Sequence, residues 1–537
     1  MKRKNPEWLK KAVFYQIYPQ SFYDSNGDGI GDIPGILEKL NYLNFLGVNA
    51  LWINPCFLSP FQDAGYDIAD YYQVAPRYGT NDDLRALFEQ AKKRGIRILL
   101  DLVPGHTSIE HPWFQESKKP EKNQFSDYYI WNNSIWKVPQ QDLPIIRGYG
   151  QRDGAYVTNF FYCQPALNYG FTRPDPELSW MQPVDAPGPQ MVRQEIKKIM
   201  GFWLEMGASG FRVDMAASLV KRDPEKIETA KFWSSIRDWM DEAYPEAAIV
   251  SEWGFPHQAI AAGFHVDFLL GFNNPGWVSL LRKRGHGRWC DPYGWSFFDE
   301  SGHGDIMQFL NEYHYHLNKT KDLGYIALLT GNHDETPRLA NGKSHALLKV
   351  VYLFLLTMPG TPFIYYGDEI GLQWRQLPSK EGGYERTGSR TPMQWTNGEN
   401  AGFSTAPPAD LYLPVNQAEG RPSVAEQQAD PDSLLNRVHR LINVRHSHQA
   451  FDADADFDVL YAESGKLPFV YTREKGEQKL MIALNPSNQQ VSVILPENAL
   501  PASPEKVDAP ENVTITQNDN GWKLTLGPVS GAIFDIS

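Results

Sequence analysis

The 537-residue sequence predicts an α/β protein: a parallel (β/α)8 or TIM barrel, with a loop-rich domain inserted after strand 3 and a C-terminal antiparallel β domain. Three observations predict it. Eight short, apolar, β-rich runs alternate with helical stretches through most of the chain. After the third run comes a stretch rich in Pro, Tyr, Trp, Asn and Gln that has no clean period. Beyond residue 450 the helical pattern gives way to short strands.

The eight runs are Val13–Tyr18, Ala50–Ile53, Ile96–Leu102, Gly210–Val213, Ala248–Val250, Val266–Leu269, Tyr325–Leu328 and Pro362–Tyr365. Their continuous apolar character is that of strands covered on both faces. Between them, a helix capped by Asn81 places Leu84, Leu87, Phe88 and Ala91 on one face and stops at Gly95. A second, Gln190–Met206, sets Val192, Ile196, Ile199, Met200 and Trp203 in one stripe before Gly207. The barrel thus occupies 1–104 and 190–450, and the inserted domain occupies 105–189. A helix at Ser433–Arg445 leads into the last domain, 451–537. Its predicted strands are Phe469–Arg473, Lys479–Leu484, Val491–Leu495, Val513–Gln517, Trp522–Leu526 and Ala532–Ile536, with Asn520-Gly521 as a hairpin turn signal. Thr405–Pro431, heavy in Ala, Pro and Gln, reads as a surface loop.

Composition narrows the function. With 64 acidic and 51 basic residues the net charge is −13, the wrong sign for holding nucleic acid or an anionic membrane surface. No stretch approaches the 18 or so apolar residues of a membrane span, and the basic N-terminus is followed by a segment too short and polar for a secretory signal. Cys56, Cys163 and Cys290 form neither a metal pattern nor a disulfide framework, so a cytoplasmic location is expected. Aromatic residues reach 13%, which suits either a large aromatic core or a ligand with apolar faces and hydroxyl edges, such as a sugar.

Polar residues just beyond the C-terminal ends of barrel strands mark catalytic chemistry. Strand three ends Asp101-Leu-Val-Pro-Gly-His106, strand four carries Arg212-Val-Asp214, strand five Ser251-Glu252-Trp253, and strand seven is followed by Asn332-His333-Asp334. Carboxylates flanked by Arg and His suit glycosidic cleavage: one attacks the anomeric carbon and another group protonates the leaving oxygen. Arg212, two residues before Asp214, shares its strand face and favours its ionised form. Glu252 beside the apolar Trp253 has the setting a general acid uses.

Further motifs carry a resemblance: Tyr15-Gln-Ile-Tyr-Pro19, Gly47-Val-Asn-Ala-Leu-Trp-Ile-Asn-Pro55, Gly65-Tyr-Asp-Ile-Ala-Asp70, Gln164-Pro-Ala-Leu-Asn168, Gly367-Asp-Glu-Ile-Gly371 and Arg390-Thr-Pro-Met-Gln-Trp395. Over nearly its whole length the chain resembles the α-amylase family, glycoside hydrolase family 13, and most of all its oligo-1,6-glucosidase and neopullulanase-type branches. The resemblance implies that Asp214 is the nucleophile, Glu252 the acid/base, and Asp334 the third carboxylate, which binds substrate hydroxyls. Arg212, His106 and His333 match residues lining the same sugar site. Asp63, Tyr66 and Arg390 match an exo-acting set in which the Asp–Arg pair closes the pocket over the terminal sugar and the Tyr ring stacks on it. The implied activity is that of a retaining exo-α-glucosidase acting on short oligosaccharides.

In Asp24-Ser-Asn26-Gly-Asp28-Gly-Ile30-Gly-Asp32, oxygen donors alternate with glycines much as in an EF-hand loop, but Gly35 stands where the twelfth-position Glu would be. A structural Ca2+ or Mg2+ held by Asp24, Asn26, Asp28, the Ile30 carbonyl and Asp32 resembles the arrangement of the exo-acting branch. The alternative is a Gly/Asx turn without metal.

The chain departs from the family pattern in places. Asp214 and Glu252 lie only 38 residues apart, Glu369 and Arg390 only 21, Ala166 replaces an acidic residue, and Met215 follows the nucleophile. Linkage preference is therefore left open. A transglucosidase or a disaccharide isomerase would use the same residues, and phosphorylated disaccharides are another possible substrate, although no decisive basic cluster for a phosphate stands out in the sequence. A non-catalytic relative would lack part of the carboxylate triad. His314, His316, His446 and His448 read as packing or surface residues, and Cys56 and Cys163 as small buried hydrophobes. Oligomeric state is not encoded in any of these features.

Overall fold

The computed structural model describes residues 3–137, 143–282, 294–501 and 504–537; Cys290 lies outside them. Eight parallel strands close a barrel: β1 (Phe14–Ile17), β2 (Ala50–Ile53), β3 (Arg97–Leu102), β4 (Gly210–Val213), β5 (Ala248–Ser251), β6 (Val266–Phe268), β7 (Tyr325–Leu329) and β8 (Thr361–Tyr365). Each strand pairs with its sequence neighbours, and β1 with β8 closes the ring. Side chains alternate along each strand. Phe14, Trp52, Leu99, Val250, Phe268 and Phe363 fill the inside of the barrel, whereas Tyr15, Leu51, Ile98, Phe211 and Ile249 face the surrounding helices. The stacked rings of Phe14 and Phe363, 4.3 Å apart, plug the interior, so the barrel is a packed core rather than a pore.

The helix α1 (Asn81–Lys93) buries the predicted Leu84, Leu87, Phe88 and Ala91, but its cap is Thr80, not Asn81. Thr80 and Asp83 form a capping box. Asn81 instead accepts from the Val74 N–H and donates to the Tyr72 carbonyl, tying the preceding strand to the helix. The second predicted helix begins earlier, at Pro187, and runs to Met206 as α2 (Pro187–Met206); a proline is well placed in a first turn that needs no N–H donor.

The segment 105–189 contributes a short helix, Pro112–Ser117, and a hairpin of Ile145–Arg147 with Ala155–Val157. It has a small core of Ile130, Val157, Ala166, Phe171 and Met181, and the bridge from His106 to Ala166 ties it to the end of β3.

Two expectations are corrected. Thr405–Pro431 is not simply a surface loop: Leu411, Tyr412, Leu413 and Val415 are buried, and Val424–Ala429 is helical. Its apolar residues cluster without a period, so no element signal emerges from them. The C-terminal domain has eight strands rather than six: β9 (Asp456–Tyr461), β10 (Phe469–Lys475), β11 (Gln478–Asn485), β12 (Val491–Leu495), β13 (Glu505–Asp508), β14 (Val513–Asn518), β15 (Gly521–Leu526) and β16 (Ser530–Asp535). They form a five-stranded and a three-stranded sheet packed through Val470, Met481, Trp522 and Leu524. The two unforeseen strands, β9 and β13, are the edges of the larger sheet, where charged residues hide the strand pattern. The hairpin turns at Asp519-Asn520, and Gly521 opens the returning strand.

Among the described residues no helix is long and apolar enough to cross a membrane. Cys56 and Cys163 are buried, and burial pushes each thiol up to about 12, which leaves them as inert packing groups.

Candidate active site

Strand register assembles the charges. Asp101 on β3 lies opposite Arg212 on β4, and Val213 lies opposite Ser251 on β5. Asp214 and Glu252, the next residues on their chains, therefore emerge side by side at the C-terminal rim. Arg212 is about 3% exposed and binds three carboxylates: its Nη1 donates to Asp101 at 2.8 Å and Asp214 at 3.1 Å, and its Nη2 meets Glu252 at 2.9 Å. Met215 follows with left-handed backbone (φ 42°, ψ 41°), an uncommon conformation for a side-chain-bearing residue. This turn aims the Met215 N–H at Glu252 Oε2, 3.0 Å away.

Three acids around one guanidinium cannot all ionise easily in a buried setting. Burial first, and then the Glu252 charge, push the Asp214 carboxyl well up, while Arg212 opposes them. Burial lifts Asp101 to about 6 despite Arg212 and hydrogen bonds from Trp52 and Tyr66. Asp214 therefore holds its proton more tightly than a free carboxylate does, with Arg212 as the counterweight that favours its ionised form.

Asp334 is the contrasting carboxylate. Burial would raise it, but the His333 N–H beside it and the charges of Arg386, Arg390 and Arg212 outweigh burial and hold it well below the usual range. Arg386 Nη1 donates to it at 2.8 Å and Arg390 Nη2 at 3.0 Å. Its side chain remains 37% exposed to the cavity as a fixed negative charge.

The expected pairing of Asp63 with Arg390 is corrected. Asp63 pairs with Arg386, at 3.3 Å, and accepts from Gln164 at 2.8 Å. Arg390 stands behind Asp334 and donates its Nε to the His333 carbonyl. The sequence reading missed Arg386, although it lies in the 3-10 segment Tyr384–Ser389, whose C-cap is Arg390. Burial raises Asp63 to about 7 against the pull of both arginines.

Both predicted histidines are neutral. Burial lowers His106 to about 4; its Nε2–H donates to the Tyr66 carbonyl and its Nδ1 accepts from Asn159. Burial also holds His333 well below its ordinary value. Gln16 donates to its Nδ1, so Nε2–H points toward Asp334, 3.6 Å away. Tyr66 stacks on His333 with the rings 5° from parallel.

A cavity of about 380 Å³ opens over these groups, within the size of small-molecule sites. Asp63, Tyr66, His106, Asp214, Glu252, Asp334 and Arg386 line it. Arg212, His333 and Arg390 lie directly behind and hold the lining carboxylates.

The loop proposed for a cation is ordered by its own side chains. Asp24 Oδ1 accepts from the Asn26 N–H, Asn26 Oδ1 from Asp28 and Asp28 Oδ1 from Ile30, while Asp32 caps the next helix through Gly35. Asp24 Oδ2 also accepts from Ser404 at 2.5 Å. Among the described residues no three His, Cys, Asp or Glu side chains are gathered as a metal cluster. The donor chemistry, all oxygen with three carboxylates, is nonetheless that of a hard cation site.

The model of the α-amylase catalytic domain matches residues 16–454. An oligo-1,6-glucosidase of Heyndrickxia coagulans is 32% identical, with 97% of this chain and 96% of that protein covered. A trehalose synthase/amylase of Mycolicibacterium smegmatis is 33% identical over 88% of this chain and 82% of its own. Among solved structures, the isomaltulose synthase of Protaminobacter rubrum superposes with a TM-score of 0.79 at 27% identity, covering 99% of this chain and 100% of that one. With the family's barrel, its C-terminal β domain and its strand-end carboxylates in place, the chain belongs to the α-amylase family, glycoside hydrolase family 13, as an oligo-1,6-glucosidase-like glycoside hydrolase.

Proposed function

We propose that the protein is a retaining exo-α-glucosidase that releases glucose from the non-reducing end of short α-gluco-oligosaccharides. The observation that carries this reading is the single Arg212 guanidinium holding Asp214 and Glu252 at adjoining strand ends. In the first step Glu252 gives its proton to the glycosidic oxygen as the Asp214 carboxylate attacks the anomeric carbon, forming a β-glucosyl ester and a free leaving sugar. In the second, Glu252 takes a proton from water, whose oxygen attacks the same carbon and expels Asp214, releasing α-glucose. Asp334 stabilises the positive charge that develops on the ring in both steps. Support for exo action comes from the Asp63–Arg386–Asp334 chain with Gln164, a set of buried ion pairs and hydrogen bonds at the wall of the cavity.

The test is the anomer first released from maltose, isomaltose, nigerose, kojibiose, trehalose and sucrose, followed by proton NMR. Initial α-glucose from at least one of them is expected; initial β-glucose would sink the double displacement. A second reading is favoured by the similarity to the trehalose synthase/amylase: glucosyl transfer to a sugar instead of water. Accumulation of a new disaccharide in the same assay would identify it. We also propose that the Asp24–Asp32 loop holds a structural Ca2+ or Mg2+ through Asp24, Asn26, Asp28, the Ile30 carbonyl and Asp32, supplying charge balance to the loop and taking no part in bond cleavage.

A further inference from the structure

The cavity contains one cation that differs from its neighbours. Arg212, Arg386 and Arg390 are each bound to carboxylates. Lys226 also lines the cavity, yet among the described residues its Nζ has neither a hydrogen-bond nor an ion-pair partner. Its backbone is left-handed, φ 59° and ψ 24°, at the N-cap of α3 (Ile227–Ala243). A lysine there faces the positive end of the helix dipole. Asp223 offsets some of this charge, but its Oδ2 accepts from the Thr229 N–H, 2.9 Å away.

A second lysine stands behind. Lys221 Nζ donates to Asn159 Oδ1 at 3.0 Å and to the Ser218 carbonyl at 2.8 Å, both neutral acceptors. Burial, and then the charge of Lys226, lower it to about 8. Two cations are thus held close together without a carboxylate bound to either.

Their position assigns a side of the cavity. The segment 215–226 leaves the nucleophile, donates the Met215 N–H to Glu252 and then supplies Ala217, Ser218 and Lys226 to the wall. That is the side of the acid, where the leaving sugar departs. Because Asp214 and Glu252 lie only 38 positions apart and 17 of the intervening residues form α3, the connection is short and ends at the cavity.

We propose that Lys226, backed by Lys221, recognises an anionic substituent, phosphate or carboxylate, on the leaving sugar, so that the preferred substrate is an α-glucoside of an acidic sugar. This rests on the α-glucosidase reading and names its substrate class.

The experiment compares kcat/KM for α-glucosides of glucose, glucose 6-phosphate and glucuronate at one linkage, using wild type, Lys226→Arg, Lys226→Gln and Lys226→Glu. Calorimetric binding of glucose 6-phosphate, glucuronate and glucose runs alongside, and circular dichroism verifies folding. An acidic substrate should be preferred at least tenfold. Lys226→Arg should keep most of that preference, Lys226→Gln should lose it, and Lys226→Glu should reverse it. The 6-phosphate and glucuronate arms identify which anion is read. Equal kcat/KM for neutral and acidic substrates, with the ratio unmoved in Lys226→Gln, overturns the inference and leaves the glucosidase intact. If no glucoside is cleaved, the glucosidase reading fails, and binding of the acidic sugars no tighter than that of glucose would overturn the lysine pair as well.

Discussion

At the scale of single residues, the site depends on how few charges are left without a partner. Arg212 serves three carboxylates, and Asp334 is served by two arginines. Replacing Asp214 with Asn keeps the shape and removes the proposed nucleophile. The variant should fold with an unchanged circular dichroism spectrum and lose turnover by on the order of 10⁴-fold or more; glucose release near the wild-type rate would refute the assignment. Replacing Arg386 with Ala strands Asp63 and exposes one face of Asp334. A fall in kcat/KM of roughly 10²-fold or more is expected, the scale of truncating one partner of a buried hydrogen-bonded charge pair, and steady-state kinetics reads it directly. Asp214, Glu252 and Asp334 were legible in the sequence because each follows an apolar strand, where a charge has no packing role. The partner of Asp63 was not. Arg386 and Arg390 are four residues apart, and only the approach of the Gly382 backbone to Asp63 decides between them.

At the scale of elements, the barrel strands were readable because burial on both faces leaves an almost uninterrupted apolar run. The Thr80 cap was harder to read, since Thr80 and Asn81 are both cap formers and the choice rests on Asp83 closing back onto Thr80. Two elements make predictions. In the Asp24–Asp32 loop, chelation with EDTA should lower the melting temperature of wild type, and Ca2+ or Mg2+ should restore it. In Asp28→Ala, an exposed position, the melting temperature should no longer respond to either. A wild type insensitive to both cation and chelator would leave the loop as a plain Asx turn. The second element follows β8, where Glu369 accepts hydrogen bonds from Tyr15 of β1 and Tyr42 of the helix Leu40–Leu46. Burial raises Glu369 from 4.5 to about 7 although both tyrosines pull it down. Its folded value lies above its unfolded one, so its contribution to stability is full below about pH 4.5 and is lost as pH rises toward 7. Glu369→Gln cannot ionise. Its melting temperature relative to wild type should therefore climb between pH 5 and pH 8, and a constant difference across that range would contradict the buried-acid account.

At the scale of the whole molecule, the C-terminal domain is joined to the barrel by buried polar contacts. Arg473 on β10 donates to the carbonyls of Thr357, Asp452 and Ala455, and the Tyr471 and Thr357 hydroxyls meet at 2.6 Å. Arg445 similarly ties the last barrel helix to the carbonyls of Leu356 and Gly360. Arg473→Ala removes the buried guanidinium that these carbonyls share and should destabilise by about 3 kcal/mol. Calorimetry should show barrel and β domain melting together at a lower temperature; separate transitions in wild type would show that the two are independent. The existence of both domains was visible from the change in hydrophobic period, but their union was not, because an arginine inside a strand reads as a surface residue until the Thr357 carbonyl, 116 positions away in the barrel, is placed beside it.

The register of β3, β4 and β5 has a consequence for engineering and descent. Asp214 and Glu252 are fixed by hydrogen bonding between strands, whereas the stretch from Met215 to Lys226, on which we place recognition of the leaving sugar, is a single short connector. On that proposal, chemistry and partner choice are encoded in separable stretches of sequence. A chimera that exchanges residues 215–226 for the connector of a relative should inherit the donor's taste in substrates while keeping the recipient's catalytic apparatus.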